Sequence, residues 1–246
     1  MNTLLKYSSL VILTSVCLLS STENLHGQMF SVEDEPNREP ALFSYSSLSF
    51  GWELGDFTFQ GDPDQTAPDR FDFNDGILKV QFENPGIDMY FGIAGRLTGS
   101  ENQNYLNIGA TISNDFILNR SGRFWFILPL QLNTDLKRSQ TEASSNQFQQ
   151  SAFQLGAGLG LKTQISEQLN AVVRLVPNYG FSNSQGSFVG GTVFSLKGMT
   201  RVYLENIFAN RAIVLGYDYR YRSYNIDGEL FDYDYRGHSL TLGFTF

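Results

Sequence analysis

The sequence predicts an all-β fold: an up-and-down antiparallel transmembrane β-barrel of about ten strands, with eight or twelve left open. Three observations predict it. Leu240, Leu242, Phe244 and Phe246 alternate with Ser239, Thr241, Gly243 and Thr245 up to the last residue. Side chains on a strand switch faces at every residue, so this segment has one apolar and one polar face. The same alternation recurs along the chain from about residue 42. The breaks between segments alternate between short turn sequences and longer polar stretches, as in barrels with tight turns on one rim and long loops on the other.

Bulk properties agree with this reading. A length of 246 residues suits one β-domain. The mean hydropathy of -0.20 has the look of a soluble protein, but a barrel averages its two faces to such a value. Outside the N-terminus no apolar run is long enough for a spanning helix. A net charge of -8 and the lack of Lys/Arg clusters speak against a nucleic-acid partner.

Residues 1–27 read as a secretory signal, with Lys6 as the positive n-region and Leu10-Val11-Ile12-Leu13 through Leu18-Leu19 as the apolar core. Cleavage is expected before Gln28, although Leu25 departs from the A-x-A pattern. Cys17 lies within the apolar core; lipidation there needs a small residue before it, and Val16 stands in that place. The mature chain then has no thiol chemistry. Residues 28–41 (QMFSVEDEPNREPA) are acidic and aperiodic, a short periplasmic tail ahead of a barrel spanning 42–246.

The apolar parity then reads, segment by segment, Leu48-Phe50-Trp52-Leu54, Leu78-Val80-Phe82, Ile87-Met89-Phe91-Ile93 and Leu106-Ile108-Ala110-Ile112. It continues Phe124-Phe126-Leu128-Leu130-Leu132, Phe153-Leu155-Ala157-Leu159-Leu161 and Leu169-Ala171-Val173-Leu175. The last three are Phe194-Leu196 with Val202-Leu204, Ile213-Leu215-Tyr217-Tyr219-Tyr221, and the terminal segment. Asn84-Pro85-Gly86, Asn119-Arg120-Ser121-Gly122 and Ser166-Glu167-Gln168 are tight-turn sequences, while the breaks near 61–70, 98–104, 136–150 and 226–232 are longer and polar. Two places fit poorly. Phe71 and Phe73 have the opposite parity to Leu78-Val80-Phe82, which predicts a bulge or a break near Asn74-Asp75-Gly76. The eighth segment, about 187–205, is long for one crossing and leaves room for an extra hairpin.

A terminal strand ending in an aromatic, here Phe246, resembles the C-terminal signature of bacterial outer-membrane β-barrel proteins. The resemblance implies that Leu240, Leu242, Phe244 and Phe246 are the signal read by the barrel-assembly machinery. Phe124-Trp125-Phe126-Ile127-Leu128-Pro129-Leu130-Gln131-Leu132 and the following Gly156-Ala157-Gly158-Leu159-Gly160 are similar to strands of Bacteroidetes-type small outer-membrane barrel proteins, a porin-like group. It covers the mature chain in pattern and only these segments in motif. The implied location is the outer membrane of a Gram-negative cell. No single activity is implied, because such barrels host pores, enzymes and adhesins alike.

If the apolar parity faces lipid, the opposite parity lines a lumen. It carries Lys79, Arg96, Lys162, Arg174, Lys197, Arg201, Arg220 and Arg222, and the acids Glu53, Glu83, Asp88, Glu205 and Asp218. Arg174, Lys197, Arg201, Arg220 and Arg222 fall on three consecutive segments and predict a basic stripe on one wall. A cation on the lipid face costs about 2–4 kcal/mol at the midplane, so this sorting is robust to strand boundaries. Two readings follow. Glu83, Glu205 and Asp218 can pair with the stripe and fill a narrow barrel, or the stripe can constrict a pore that prefers small anions. Inward glycines, among them Gly109 and Gly216, leave room for either water or long arginines.

Catalytic machinery is not visible. Outer-membrane lipid A deacylases and phospholipases carry a His-x-Ser pair on one face of a strand. The only mature histidine, His238, is followed directly by Ser239, which a strand places on the opposite face. A lipid hydrolase is thus the remote alternative. Oxygen-bearing side chains crowd two outer loops, Asp62, Asp64, Asp69, Asp72 and Asp75 in one and Asn225, Asp227, Glu229, Asp232 and Asp234 in the other. Neither has EF-hand spacing, so no metal or other cofactor is assigned. Tyr217, Tyr219 and Tyr221 fit an interfacial girdle, with an adhesive patch as the sharper alternative. The expected role is a structural or surface-interacting barrel. Its partners would be outer-membrane lipid and lipopolysaccharide, with the assembly machinery during biogenesis and a monomer as the favoured state.

Overall fold

The computed structural model describes residues 43–61, 72–100, 103–141, 147–184, 190–208, 211–226 and 232–246. The expected signal and tail, and the loop residues Asp62, Asp64, Asp69, Phe71, Asp227 and Glu229, lie outside the described residues.

Alternating β-branched, aromatic and small residues form eleven strand segments. They are β1 (Ser47–Phe59), β2 (Phe73–Asn84), β3 (Ile87–Ala94), β4 (Gln103–Ser121), β5 (Phe124–Thr141), β6 (Gln147–Ala157), β7 (Leu159–Ser166), β8 (Leu169–Ser184), β9 (Gly191–Phe208), β10 (Arg211–Ile226) and β11 (Tyr233–Thr245). A 3₁₀ turn, Arg96–Thr98, follows β3. β6 and β7 are two halves of one crossing interrupted at Gly158, since both pair with β5 on one side and β8 on the other. The wall therefore has ten crossings, each antiparallel to its sequence neighbour. β1 and β11 close the ring in an unbroken register from Ser47↔Thr245 to Phe59↔Tyr233. The Phe246 amide also donates to the Ser46 carbonyl at 3.0 Å, tying the end of β11 to the start of β1. One rim carries these ends and the short connections after β2, β4, β7 and β9; it is called the turn end. The opposite rim is the loop end.

The expected bulge in β2 is absent. β1 and β2 pair without interruption from Ser47↔Glu83 to Phe57↔Phe73. Phe73 simply points inward, where it is buried. Its odd parity marks an aromatic interior at the loop end rather than a break. The long eighth segment is one strand, β9, and hides no hairpin. β5 runs on to Thr141, through residues assigned from sequence to the loop near 136–150.

The two faces are inverted relative to a soluble domain. Phe50, Trp52, Leu54, Leu155, Leu240, Leu242, Phe244 and Phe246 are exposed on the outside. Glu53, Lys79, Arg201, Asp218, Arg220 and Ser239 are buried inside. Parity alone produces this, because residues i and i+2 share a face.

Candidate functional site

The lumen is filled in three layers. In the middle layer, the basic stripe lies on β8, β9 and β10, with Arg174, Lys197 and Arg201, and Arg220 and Arg222. Facing it across the barrel, each of the first five strands supplies one carboxylate: Glu53, Glu83, Asp88, Asp115 and Asp135. Arg174 reaches Asp115 at 2.5 Å, Lys197 reaches Asp88 at 2.6 Å and Arg222 reaches Asp135 at 2.5 Å. Arg201 grips Glu83 through Nε at 2.9 Å and Nη2 at 2.6 Å, and meets Asp218 at 2.8 Å. Arg220 lies 3.9 Å from Glu53 and stacks on the Tyr90 ring at 3.7 Å. None of these five stripe cations shares a strand pairing with its partner on the acidic wall, so all five bridges cross the lumen.

Lys79 completes this layer. Its ammonium donates to Asp218 at 2.7 Å and to Ser239 at 2.9 Å, all three groups being buried. Tyr90 donates to Asp135 at 2.5 Å and accepts from Arg222 at 2.7 Å. The inward glycines make room for side chains. A Cβ on Gly109 would stand 2.3 Å from the Tyr90 ring, and one on Gly216 would stand 3.1 Å from an Arg201 nitrogen. Among Tyr90, Asp135, Lys197, Arg220 and Arg222 the free space is about 20 Å³, room for roughly one water.

Two sequence expectations are corrected here. Glu205 does not pair with the stripe: it accepts hydrogen bonds from Tyr45 and from Asn170 at the turn end. It sits near the end of β9, below the reach of Arg201, and Tyr45 arrives there first. Arg96 does not line the lumen either, since β3 stops at Ala94 and Arg96 is exposed on the following 3₁₀ turn. Asp115, Asp135 and Lys137 were missed because the fourth and fifth segments were cut too short. The signal was present: inward parity continues through Thr111-Ser113-Asp115 and Asn133-Asp135-Lys137 in steps of two.

The turn-end layer is built on residues that precede β1. Tyr45 stacks on Tyr203 with ring centroids 4.4 Å apart, and Phe43 meets Trp125 edge-on at 5.5 Å. Val172, Met199, Tyr203, Ala212 and Val214 form the buried apolar cluster under them. Burial, with Glu205 as acceptor, pushes the Tyr45 hydroxyl up to about 12. Above this layer a cavity of about 70 Å³ opens among Asp88, Lys162, Arg174, Lys197 and the apolar residues Phe43, Val176 and Met199.

The loop-end layer is aromatic. Phe57, Phe73, Tyr105, Phe148, Tyr224, Tyr233 and Tyr235 are buried in one cluster. Phe57 stacks on Tyr233 at 4.3 Å, and Phe73 stacks on Tyr105 at 4.8 Å. Lys137 projects into this layer and is fully buried. Its ammonium lies 3.8 Å from the Tyr235 centroid, 4.8 Å from Phe57 and 5.0 Å from Tyr224, and has no hydrogen-bond partner among the described residues.

On the outer surface His238 shares its Nδ1 with the Tyr217 hydroxyl at 2.9 Å, and its ring lies 5.0 Å from that of Tyr219. Ser239 faces inward onto Lys79, so the two side chains are on opposite faces and do not meet. Tyr221 is also on the outer face and donates to Asp234 at 3.1 Å. Among the described residues no three His, Cys, Asp or Glu side chains are grouped to hold a metal ion. Leu240, Leu242, Phe244 and Phe246, expected from the sequence to form an assembly signal, all lie on the outer face of β11 and the chain end.

No protein-family model matches the chain, and no curated protein matches it. Among solved structures, the outer-membrane protease OmpT from Escherichia coli is similar with a TM-score of 0.40 at 8% identity, over 85% of this chain and 99% of that chain. The β-domain of the Bordetella autotransporter BrkA gives 0.33 at 7%, over 82% and 99%. Ail of Yersinia pestis, in complex with the heparin analogue sucrose octasulfate, gives 0.29 at 13%, over 82% and 97%. At these identities and scores none of the three bears on what this chain does.

Proposed function

We propose that this chain is an integral outer-membrane β-barrel whose lumen is closed by its own side chains, with a structural or surface-interacting role. The supporting observation for the closure is the set of ion pairs that cross the lumen from β8–β10 to β1–β5, capped by the aromatic layer. The supporting observation for the membrane is the apolar outer face on a wall whose backbone groups are paired around a closed ring. Such a ring leaves no open edge for lipid to meet, and such an apolar belt is stable in hydrocarbon rather than in water.

Orientation follows from the same logic. The turn end faces the periplasm and the loop end faces outward, because short turns belong to the periplasmic rim of such barrels. The outward Tyr217, Tyr219 and Tyr221 then climb toward the outer headgroup level, from Tyr217 beside Leu240 to Tyr219 beside His238 and Tyr221 beside Arg236. Outer-membrane lipid and lipopolysaccharide are the proposed neighbours, and Phe246 the proposed assembly signal. A non-enzymatic role is part of this reading; it is supported by His238 and Ser239 lying on opposite faces, with Ser239 buried against Lys79 and Asp218.

The competing reading is a narrow pore for small anions. The observation favouring it is the turn-end cavity, where Lys162 and Arg174 both converge on Asp115. Planar-bilayer recording separates the two. The closed barrel gives no stable unitary currents at neutral pH; discrete, anion-selective steps from the purified full chain overturn it.

A further inference from the structure

The turn-end cavity has a charge left over. Of its lining residues, Glu83 is gripped by Arg201 at 2.6 Å and Asp88 is held by Lys197 at 2.6 Å and Gln81 at 2.9 Å. Those four formal charges cancel in pairs. Lys162 and Arg174 remain, and both converge on one atom, Asp115 Oδ2, at 2.8 and 2.5 Å. One carboxylate thus answers two cations, leaving one positive charge uncompensated beside the cavity.

The donors tell the same story. An ammonium has three N–H donors and a guanidinium five, each wanting an acceptor when withdrawn from water. Arg174 places a single donor, on Nη2, onto Asp115, and its Nε is buried with no partner among the described residues. A buried donor left unmade is costly, and an anion that accepts from it removes the cost. Both side chains remain reachable from the turn end, with side-chain exposures of 16% for Lys162 and 25% for Arg174. The volume of about 70 Å³ exceeds the roughly 10–15 Å³ that one water needs and suits an ion of a few heavy atoms. Phe43, Val172, Val176 and Met199 give the wall an apolar side, and Asn84, Thr111, Ser113 and Gln131 give it a neutral polar one.

We propose that this cavity binds one small oxyanion, a carboxylate or phosphate group, between Lys162 and Arg174. The anion's oxygens take the place of the second carboxylate that the pair lacks. A carboxylate with a short apolar tail uses both walls, whereas inorganic phosphate uses only the basic one. The site needs the cavity and not a sealed lumen, so bilayer currents and anion binding succeed or fail separately.

The test is thermal unfolding of the purified full chain in detergent, titrated with phosphate or with propionate at constant ionic strength against chloride. A saturable rise in the midpoint with either anion supports the site, and the anion that produces it names the ligand class. Arg174→Gln and Lys162→Gln each weaken the response roughly 10- to 100-fold, as for loss of a charge-assisted hydrogen bond. Each single variant leaves Asp115 one cation, and Arg138→Gln, on the exposed outer face, leaves the response unchanged. No response beyond chloride, or a response in both cavity variants undiminished from that of the wild type, overturns the proposal. If a variant does not fold, wild-type crystals soaked in bromoacetate or selenate decide: an anomalous peak between Lys162 and Arg174 supports the site, and its absence overturns it.

Discussion

The middle and the loop end of the same lumen solve one problem in opposite ways. Both must fill the bore of a ten-crossing barrel with inward side chains. The middle does it with charge, setting Arg174, Lys197, Arg201, Arg220 and Arg222 against Asp115, Asp88, Glu83, Glu53 and Asp135. The loop end does it with rings, and admits the cation Lys137, with no carboxylate hydrogen-bonded to it among the described residues. The difference teaches how each layer fails. A paired layer is sensitive to the loss of one partner, because the survivor is left buried and uncompensated. A ring layer is sensitive to lost volume and comparatively indifferent to lost charge.

The largest effect is therefore expected from Arg201→Ala. Arg201 is 1% exposed and holds Glu83 and Asp218 together. Breaking a buried pair in this way costs about 3–5 kcal/mol. Denaturant unfolding, followed by heat-modifiable gel mobility, measures it. A loss below about 1 kcal/mol, the range of exposed pairs, removes the distinction between the layers. Phe57→Ala comes next. Phe57 is fully buried between Tyr233 and Phe148, and truncating a buried phenylalanine costs about 3–5 kcal/mol, at the lower end where neighbours can close in. Phe57→Leu should recover most of that loss, whereas Arg201→Lys should recover little, because only a guanidinium forks onto Glu83 through two nitrogens.

These layers were unequally legible in the sequence. Parity sorted the wall wherever a segment kept alternating, so Arg201, Glu83 and Asp218 fell on the inner face from spacing alone. The acidic wall was half visible: Glu53, Glu83 and Asp88 were on the inner parity, but Asp115 and Asp135 lay beyond the assumed strand ends. The polar residues of β5 beyond Leu132 resemble a loop because, above the belt, the outer face turns polar too, as at Thr134 and Arg138. Pairing across the lumen was not legible at all. Arg201 and Glu83 are 118 residues apart, and which carboxylate a cation meets depends on the stagger of the ring. The aromatic layer was misread for a related reason. Phe73 broke the parity of its own segment, and only its stacking on Tyr105 from β4 shows that an inward phenylalanine belongs there. Glu205 failed differently, taken by Tyr45 from a stretch that precedes the first strand.

The smallest effect gives the sharpest contrast, through Lys137→Met. The ammonium of Lys137 is withdrawn from water, and its compensation is the faces of Tyr235, Phe57 and Tyr224. Cation–π contacts are worth about 0.5–2 kcal/mol, comparable to the cost of a buried donor left without a hydrogen bond, about 1–3 kcal/mol. A methionine keeps the length, fills the same space and adds sulfur–ring contacts of about 0.3–1.5 kcal/mol. The two sides nearly cancel, so stability is expected to stay within about 1 kcal/mol of wild type, with the sign toward gain. Lys79→Met, one layer below, should instead lose several kcal/mol, because Asp218 and Glu53 would face each other with one cation fewer. Two lysines, both buried and both on inner parity, thus respond oppositely to one substitution. An equal loss in both would mean that Lys137 has an anionic partner, and that charge rather than shape holds the loop end.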